Sequence, residues 1–297
     1  ARFGAFIEGK GKMCPVEGKY AQETPDRFHI TQAIASAIVR AYREHDGDIL
    51  AFLPGQAEII RCEEMLKGAF TTEWNDNVGA NLPITTSIYP LYGNLPQEQQ
   101  RAAIAPSRKG ERKIVLATPI AETSLTIDGV RVVVDSGLCR QLVYEASTDL
   151  SHLETVTISQ DMATQRMGRA GRLTEGTCYR LWTLASQHQM QEQRKPEIEE
   201  ADLSSLALAI AAFGESDVLS LPWLTPPPTG HIMQAVKTLK ALGAISPLDE
   251  LSITPLGKKM AQMPCHPRIS KMILSAASTS EKSLACDIAA ILEEKDP

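Results

Sequence analysis

Residues 165–172 read Gln-Arg-Met-Gly-Arg-Ala-Gly-Arg. Arginine is the side chain suited to a phosphate, because it is always charged and presents a planar fork of donors. Arg169 and Arg172 are three apart, so on a helix they project from one face. The small residues between them let another surface approach closely. A merely solvated basic face needs neither glycine, and each costs helix stability. The octet therefore reads as a device for gripping a phosphate held by something else.

Two further stretches carry chemistry. Ala117-Thr118-Pro119-Ile120-Ala121-Glu122-Thr123-Ser124-Leu125-Thr126-Ile127-Asp128-Gly129 places four hydroxyls, two carboxylates and a glycine after an apolar run that reads as a strand. In open α/β sheets the carboxyl end of a strand is where ligands bind. Hydroxyls and loop amides there can bond phosphate oxygens without adding charge. Phe52-Leu53-Pro54-Gly55-Gln56 ends another strand pattern, and Gly55 would let backbone N–H groups come near a phosphate. No Gly-x-x-x-x-Gly-Lys-Ser/Thr loop occurs, and Gly9-Lys10-Gly11-Lys12-Met13 lacks its spacing and hydroxyl. No Asp-Glu pair follows a strand to hold magnesium. The chain can supply arginine fingers but cannot itself cradle a nucleoside triphosphate.

The elements that must position these residues alternate in type. Strands are expected at Asp48–Leu53, Pro83–Tyr89, Lys113–Thr118, Val130–Asp135 and Thr177–Trp182. Helices are expected at 56–67 and 96–104, the latter opening on Pro96. That alternation predicts a mostly parallel sheet with helices on both faces. Leu138–Glu145 and Leu150–Ile158 break the rhythm and read as a β-hairpin leaving the sheet. A polar stretch at 187–195 marks a domain boundary. Beyond it helices are expected at 202–213, 231–242, 254–263, 268–278 and 280–294, with a small two-stranded element at 244–253. Thr254 is a candidate N-cap with Pro255 at the first helical position. Helix, helix, short hairpin, helix is close to a winged-helix arrangement.

The 297 residues suffice for two domains with real cores. No apolar run approaches the ~20 residues needed to span a bilayer, and the start shows no signal peptide. The absence of an initiator methionine makes a fragment the expectation. Six scattered cysteines with no Cys-x-x-Cys pair argue against a zinc site or disulfide framework and for a reducing cytoplasm. The net charge of −6 has the wrong sign for nucleic-acid binding by bulk attraction. Such binding must be local, and basic residues do cluster at Arg101, Arg108, Lys109, Arg112 and Lys113, then at Arg166, Arg169, Arg172 and Arg180.

Together the three stretches resemble motifs IV, V and VI of superfamily 2 helicases, and within them the DEAH-box group. Pro196-Glu197-Ile198, Leu203-Ser204-Ser205, Leu242-Gly243-Ala244 and Leu256-Gly257-Lys258-Lys259-Met260 resemble the winged helix that follows in that group. Pro54 and the ending Leu292-Glu293-Glu294-Lys295-Asp296-Pro297 are similar to bacterial HrpB-type ATP-dependent helicases. The resemblance implies a RecA-like parallel-sheet domain with a protruding β-hairpin over 1–186, a winged-helix domain over 187–263, and the beginning of a helical, ratchet-like domain over 264–297. It implies an ATP-dependent nucleic-acid translocase, soluble and monomeric, acting on single-stranded nucleic acid, with RNA favoured by family association. ATP and Mg2+ would be held mainly by an amino-terminal RecA-like domain, and this stretch alone would be inactive.

By position, Arg172 matches the transition-state finger, Arg169 the ground-state phosphate contact, and Gln165 the residue that positions the attacking water or phosphate. Such a finger is worth ~10³–10⁵ in rate. Arg166 falls among the nucleotide-binding positions of the same motif. Ser124 matches a nucleotide-state sensor, and Asp128 lies where the family approaches the ribose. Thr118, Thr123 and Gly55 match contacts to the nucleic-acid backbone, and the hairpin matches one that separates strands. No residue matches a metal ligand. Two positions depart from the pattern. Pro119 replaces an asparagine, removing a donor and a backbone N–H. Ile104 stands where some relatives place an adenine-stacking phenylalanine, and an aliphatic side chain offers no π-face. The competing readings are a non-catalytic winged-helix module that binds nucleic acid or protein, and a small-molecule α/β enzyme. No nucleophile–base or metal constellation supports the last.

Overall fold

The protein is described by a computed structural model covering residues 14–76, 85–108, 110–122, 126–145, 150–248 and 251–293. The chain forms two compact units. One runs to Gln141 and resumes over Glu154–Arg194; the other takes Leu142–Leu153 and the chain from Lys195 onward.

In the first unit the order is β1 (Val16–Tyr20), α1 (Ile30–Glu44), β2 (Asp48–Phe52), α2 (Gln56–Asp76), β3 (Thr85–Leu91), α3 (Gln97–Ile104), β4 (Glu111–Ala117) and β5 (Val130–Asp135). The hairpin strands β6 (Leu138–Glu145) and β7 (Leu150–Thr157) follow, then α4 (Gln160–Met167), β8 (Gly176–Arg180) and α5 (Leu184–Gln189). Among the described residues six strands form one parallel sheet in the order β1-β8-β5-β2-β4-β3, and β6 pairs with β7 in a second sheet. The parallel sheet and the separate hairpin are those expected from the alternation.

The central strands are buried on both faces, which is why they read as continuous apolar runs. Side chains alternate between two cores. Ile49, Ala51, Ile114, Leu116, Val132 and Val134 pack toward α1 and α2. Leu50, Phe52, Val115, Ala117 and Val133 pack on the opposite side with Ala103 and Ala170. Register fixes the site: Phe52 pairs with both Ala117 and Asp135, so β2, β4 and β5 end together. The loops that begin at Leu53, Thr118 and Ser136 therefore leave from one sheet edge.

Three elements were not expected: β1, α1 and the short α5. β1 adds a strand beside β8, and α1 covers the sheet through Ile30, Ile34, Ile38 and Ala41, an i, i+4 stripe. The helix expected to end at Lys67 continues to Asp76. It runs through Gly68, whose cost of ~1 kcal/mol does not stop a helix.

The second unit contains α6 (Ser204–Phe213), α7 (Thr229–Ala241), α8 (Pro255–Ala261), α9 (Pro267–Ser275) and α10 (Thr279–Glu293). Leu208, Ala211, Ile232, Leu239, Ile245 and Met260 contribute to its core. The small two-stranded element is a single antiparallel bridge, Ile245 to Ile253. Thr254 caps α8, its hydroxyl accepting from the Gly257 N–H at 3.0 Å. Helix, helix, bridge, helix is the order expected of a winged helix.

Candidate functional site

The octet does not form one α-helix. α4 supplies Gln165 and Arg166, and the chain then tightens into a 3₁₀ turn over Gly168–Gly171. A 3₁₀ turn has three residues, so positions i and i+3 line up along it. Arg169 sits on that turn and Arg172 follows it. The two glycines that flank this segment have close neighbours. A Cβ at Gly171 would lie 2.5 Å from the Cys14 carbonyl oxygen, and one at Gly176 would lie 2.4 Å from that of Ala170. The surface that approaches the octet's small residues is thus the chain's own: the segment entering β1 bonds Gly171, Cys14 N–H to the carbonyl at 2.8 Å.

Arg172 is exposed, and its Nη1 donates to Thr126 Oγ1 at 2.5 Å. Arg169 is 8% exposed. Burial and the neighbouring Arg172 charge push its pKa down to about 10, with Glu122 opposing. Two like charges held together, one of them largely desolvated, make a site that an added anion would relieve.

Arg166 is placed differently from the nucleotide-facing position expected of it. It is fully buried and faces inward with Met162 and Ala163. Its Nε donates to Glu122 Oε1 at 2.6 Å, and its Nη1 to Asp135 Oδ1 at 2.9 Å and to the Leu138 carbonyl at 3.2 Å. The guanidinium also lies over the Phe52 ring, 4.9 Å from its centroid. Burial by itself would lower its pKa, but the Asp135 and Glu122 carboxylates outweigh that and raise it. Helical period carries the signal for this: residues 162, 163 and 166 share one face, and an arginine on a buried face demands carboxylate partners.

Gln165 is exposed, and its Oε1 accepts from Arg194 Nη2 at 3.3 Å. Arg194 also pairs with Asp161 at 3.5 Å and with Glu122 Oε2 at 3.6 Å. Neither Arg194 nor Glu122 was singled out from sequence, because their partners lie 29 to 72 residues away along the chain.

The remaining expected site residues divide between the two edges of the sheet. At the carboxyl edge, Thr118 precedes a 3₁₀ turn over Pro119–Ala121, where proline at the first position loses no needed N–H. Gly55 sits beneath Arg140 of β6: a Cβ there would be 2.7 Å from the guanidinium Nε. Its lack of a side chain thus makes room for an arginine, whose Nη2 also pairs with Glu58 at 3.6 Å. At the amino edge, Asp128 is exposed just before β5, and Gly129 adopts φ +88°. Ile104 ends α3 half-buried against the core. The turn carrying Arg169 also lies toward this edge, beside the starts of β1 and β8. Thr123 and Ser124 lie outside the described residues. Two members of the first basic cluster face inward. Arg112 Nη1 donates to the Tyr42 carbonyl at 2.7 Å, and Lys113 Nζ to those of Ala103 and Ala105 at 3.2 and 2.6 Å. Among the described residues no cluster of His, Cys, Asp or Glu is arranged to hold a metal, and no helix is long and apolar enough to cross a membrane.

Comparison with known proteins matches residues 32–174 to the helicase conserved C-terminal domain and residues 235–265 to the winged-helix helicase associated domain (HA2). The chain is 38% identical over 288 residues to the ATP-dependent RNA helicase HrpB of Escherichia coli K12, covering 97% of this chain and 34% of that protein. It is 39% identical over 267 residues to the pre-mRNA-splicing factor ATP-dependent RNA helicase prp22 of Schizosaccharomyces pombe, covering 90% and 22%. The crystal structure of the E. coli DEAH/RHA helicase HrpB superposes with a TM-score of 0.84 at 38% identity, over 97% of this chain and 35% of that one. The chain thus spans about a third of the HrpB sequence and less of prp22.

Proposed function

Since this chain belongs with the DEAH-box-like helicases over the stretch it spans, we propose that it supplies the arginine side of an NTP site and part of a single-strand track. The nucleotide, taken to be ATP from the names of the relatives and to carry Mg2+, is held mainly by an amino-terminal RecA-like domain with the phosphate loop that this sequence lacks. Alone, this stretch hydrolyses nothing.

In the closed state Arg172 reaches the γ-phosphate as charge develops in the transition state, and Arg169 contacts it in the ground state. Gln165 positions the attacking water. Ser124 senses the nucleotide's state, while Asp128 and Ile104 approach its ribose and base. Thr118, Thr123 and Gly55 touch the backbone of the nucleic acid, taken as RNA because both named relatives are RNA helicases. Closure and release of the two RecA-like domains then moves the strand contacts, a two-state domain motion. The protein works as a monomer, in the cytoplasm.

One observation carries this reading: the buried Arg169 and the exposed Arg172 follow Gln165 within the stretch matched to the helicase conserved C-terminal domain. Two arginines so placed suit a multiply charged oxyanion. The test is hydrolysis by the protein carrying its amino-terminal domain. Arg172→Ala is expected to lower kcat by ~10³-fold or more with KM changed little. Hydrolysis unaffected by that substitution overturns the finger role.

A further inference from the structure

Gripping a phosphate makes no use of the fully buried Arg166 and its two carboxylates. A fuel site needs arginines that reach the phosphate, and Arg166 points away from solvent altogether. Its partners come from three separate segments. Glu122 follows the 3₁₀ turn after β4, Asp135 ends β5, and Leu138 is the first residue of the hairpin strand β6. Asp135 Oδ1 also accepts the Gly137 N–H at 2.9 Å, fixing the turn by which the chain leaves the sheet for the hairpin. That turn has no slack: Gly137 adopts φ +74°, and a Cβ there would lie 2.7 Å from the Trp182 ring.

Arg166 is three residues before Arg169 and six before Arg172. The guanidinium therefore links the segment bearing the arginine pair at the amino edge to the hairpin base and the Thr118 loop at the carboxyl edge. The network is charge-rich. Glu122 and Asp135 together outweigh Arg166, and Arg194 approaches the free oxygen of Glu122 at 3.6 Å. It is also incompletely satisfied, since Arg166 Nη2 and Asp135 Oδ2 are buried with no hydrogen-bond partner. Unmade bonds in a low-dielectric interior are costly. A second arrangement, in which the guanidinium turns to engage Asp135 through both oxygens, would satisfy both atoms.

We propose that Arg166 is a positioning residue that transmits displacement of the arginine pair to the hairpin base through Asp135 and the Leu138 carbonyl. It touches neither nucleotide nor strand. Its effect falls on the coupling of hydrolysis to strand separation. The proposal rests on the reading of Arg172 as the finger.

The test uses the longer protein with its amino-terminal domain. Asp135→Asn and Asp135→Ser each keep an acceptor for Gly137 but remove the charge that Arg166 holds. RNA-stimulated ATP hydrolysis and base pairs opened per ATP are measured for each. We expect base pairs opened per ATP to fall by about twofold to thirtyfold, the range for couplings carried by such networks, with kcat for hydrolysis within about twofold. Parallel loss of hydrolysis and opening, or no change in either, overturns the proposal. Arg172→Ala run alongside separates the two claims. Full hydrolysis by that variant overturns the finger reading and this inference with it; lost hydrolysis there, with parallel behaviour in Asp135→Asn, overturns this inference alone. Should both carboxylate variants fail to fold, hydrogen exchange of the Gly137 amide in the wild type decides. Its protection is expected to change when a transition-state nucleotide analogue binds, and unchanged protection overturns the proposal.

Discussion

Replacing Gly171 by alanine sets two physical effects against each other, and the structure says which wins. Gly171 is not in the left-handed region, so alanine can adopt its backbone without strain. Propensity alone favours the change by ~1 kcal/mol in a helical turn. Packing opposes it. The new methyl would stand 2.5 Å from the Cys14 carbonyl oxygen and 2.6 Å from Val16 Cγ2, where ordinary contact begins near 3.4 Å. The Val16 methyl can turn away, but the Cys14 carbonyl is backbone, and the adjacent Cys14 N–H is bonded to the Gly171 carbonyl at 2.8 Å. The segment entering β1 must move by most of an ångström. Overpacking of this kind costs about 1–3 kcal/mol, and loss of the hydrogen bond adds about 1 kcal/mol. The net is a destabilisation of about 2 kcal/mol. At about 2–4 °C per kcal/mol for a unit of this size, the melting temperature falls by about 4–8 °C. Thermal unfolding followed by circular dichroism measures this. Adding Val16→Ala should recover only a minor part, because the carbonyl clash remains. A Gly171→Ala protein as stable as wild type, or more so, refutes the claim that close approach rather than flexibility requires glycine here.

The other expectations concern acidity and nucleotide choice. Burial tends to raise the Asp202 carboxyl, but hydrogen bonds from His266 at 2.8 Å and from the Ser204 N–H at 2.8 Å outweigh it and hold the pKa below the ordinary 3.8. A depressed folded-state pKa contributes stability that is complete above the unfolded value and is lost as pH falls through the folded one. Asp202→Asn is therefore expected to be less stable than wild type in urea at pH 7, with the gap closing below about pH 4; a gap of equal size at pH 2.5 counts against it. With Ile104 offering no aromatic face, ATP, GTP, CTP and UTP should be hydrolysed at rates within about tenfold, since a methylene-scale apolar contact discriminates weakly. Strict selectivity for ATP contradicts the placement of Ile104 at the base.

The fold divides the candidate residues between the two edges of the sheet. Thr118, Gly55 and the hairpin base sit at the carboxyl edge, while Arg169, Asp128 and Ile104 sit toward the amino edge. An open α/β sheet invites ligands at the carboxyl ends of its strands. The arginine pair lies elsewhere, because α4 and the 3₁₀ turn after it run back along the sheet toward the start of β8.

The sequence by itself determined what local chemistry can specify. Alternating apolar runs and helical periods gave the parallel sheet and the separate hairpin, and Thr254 announced its own cap. The helix at 30–44 was equally legible, since its i, i+4 stripe lies in plain view, and it went unassigned. Only the tertiary structure decided which arginine does what. Arg166, Arg169 and Arg172 are chemically identical and lie within seven residues, yet one is an internal tie, one is half-desolvated and one is exposed. What separates them is the identity of neighbours brought from up to 46 residues away. Glycine was ambiguous for the same reason: the octet's small residues suggested close approach by another surface, and at Gly171 that surface is the chain's own backbone. Spacing along a chain fixes direction around a helix axis. Whether that direction meets water, a carboxylate or a carbonyl depends on where distant segments fold.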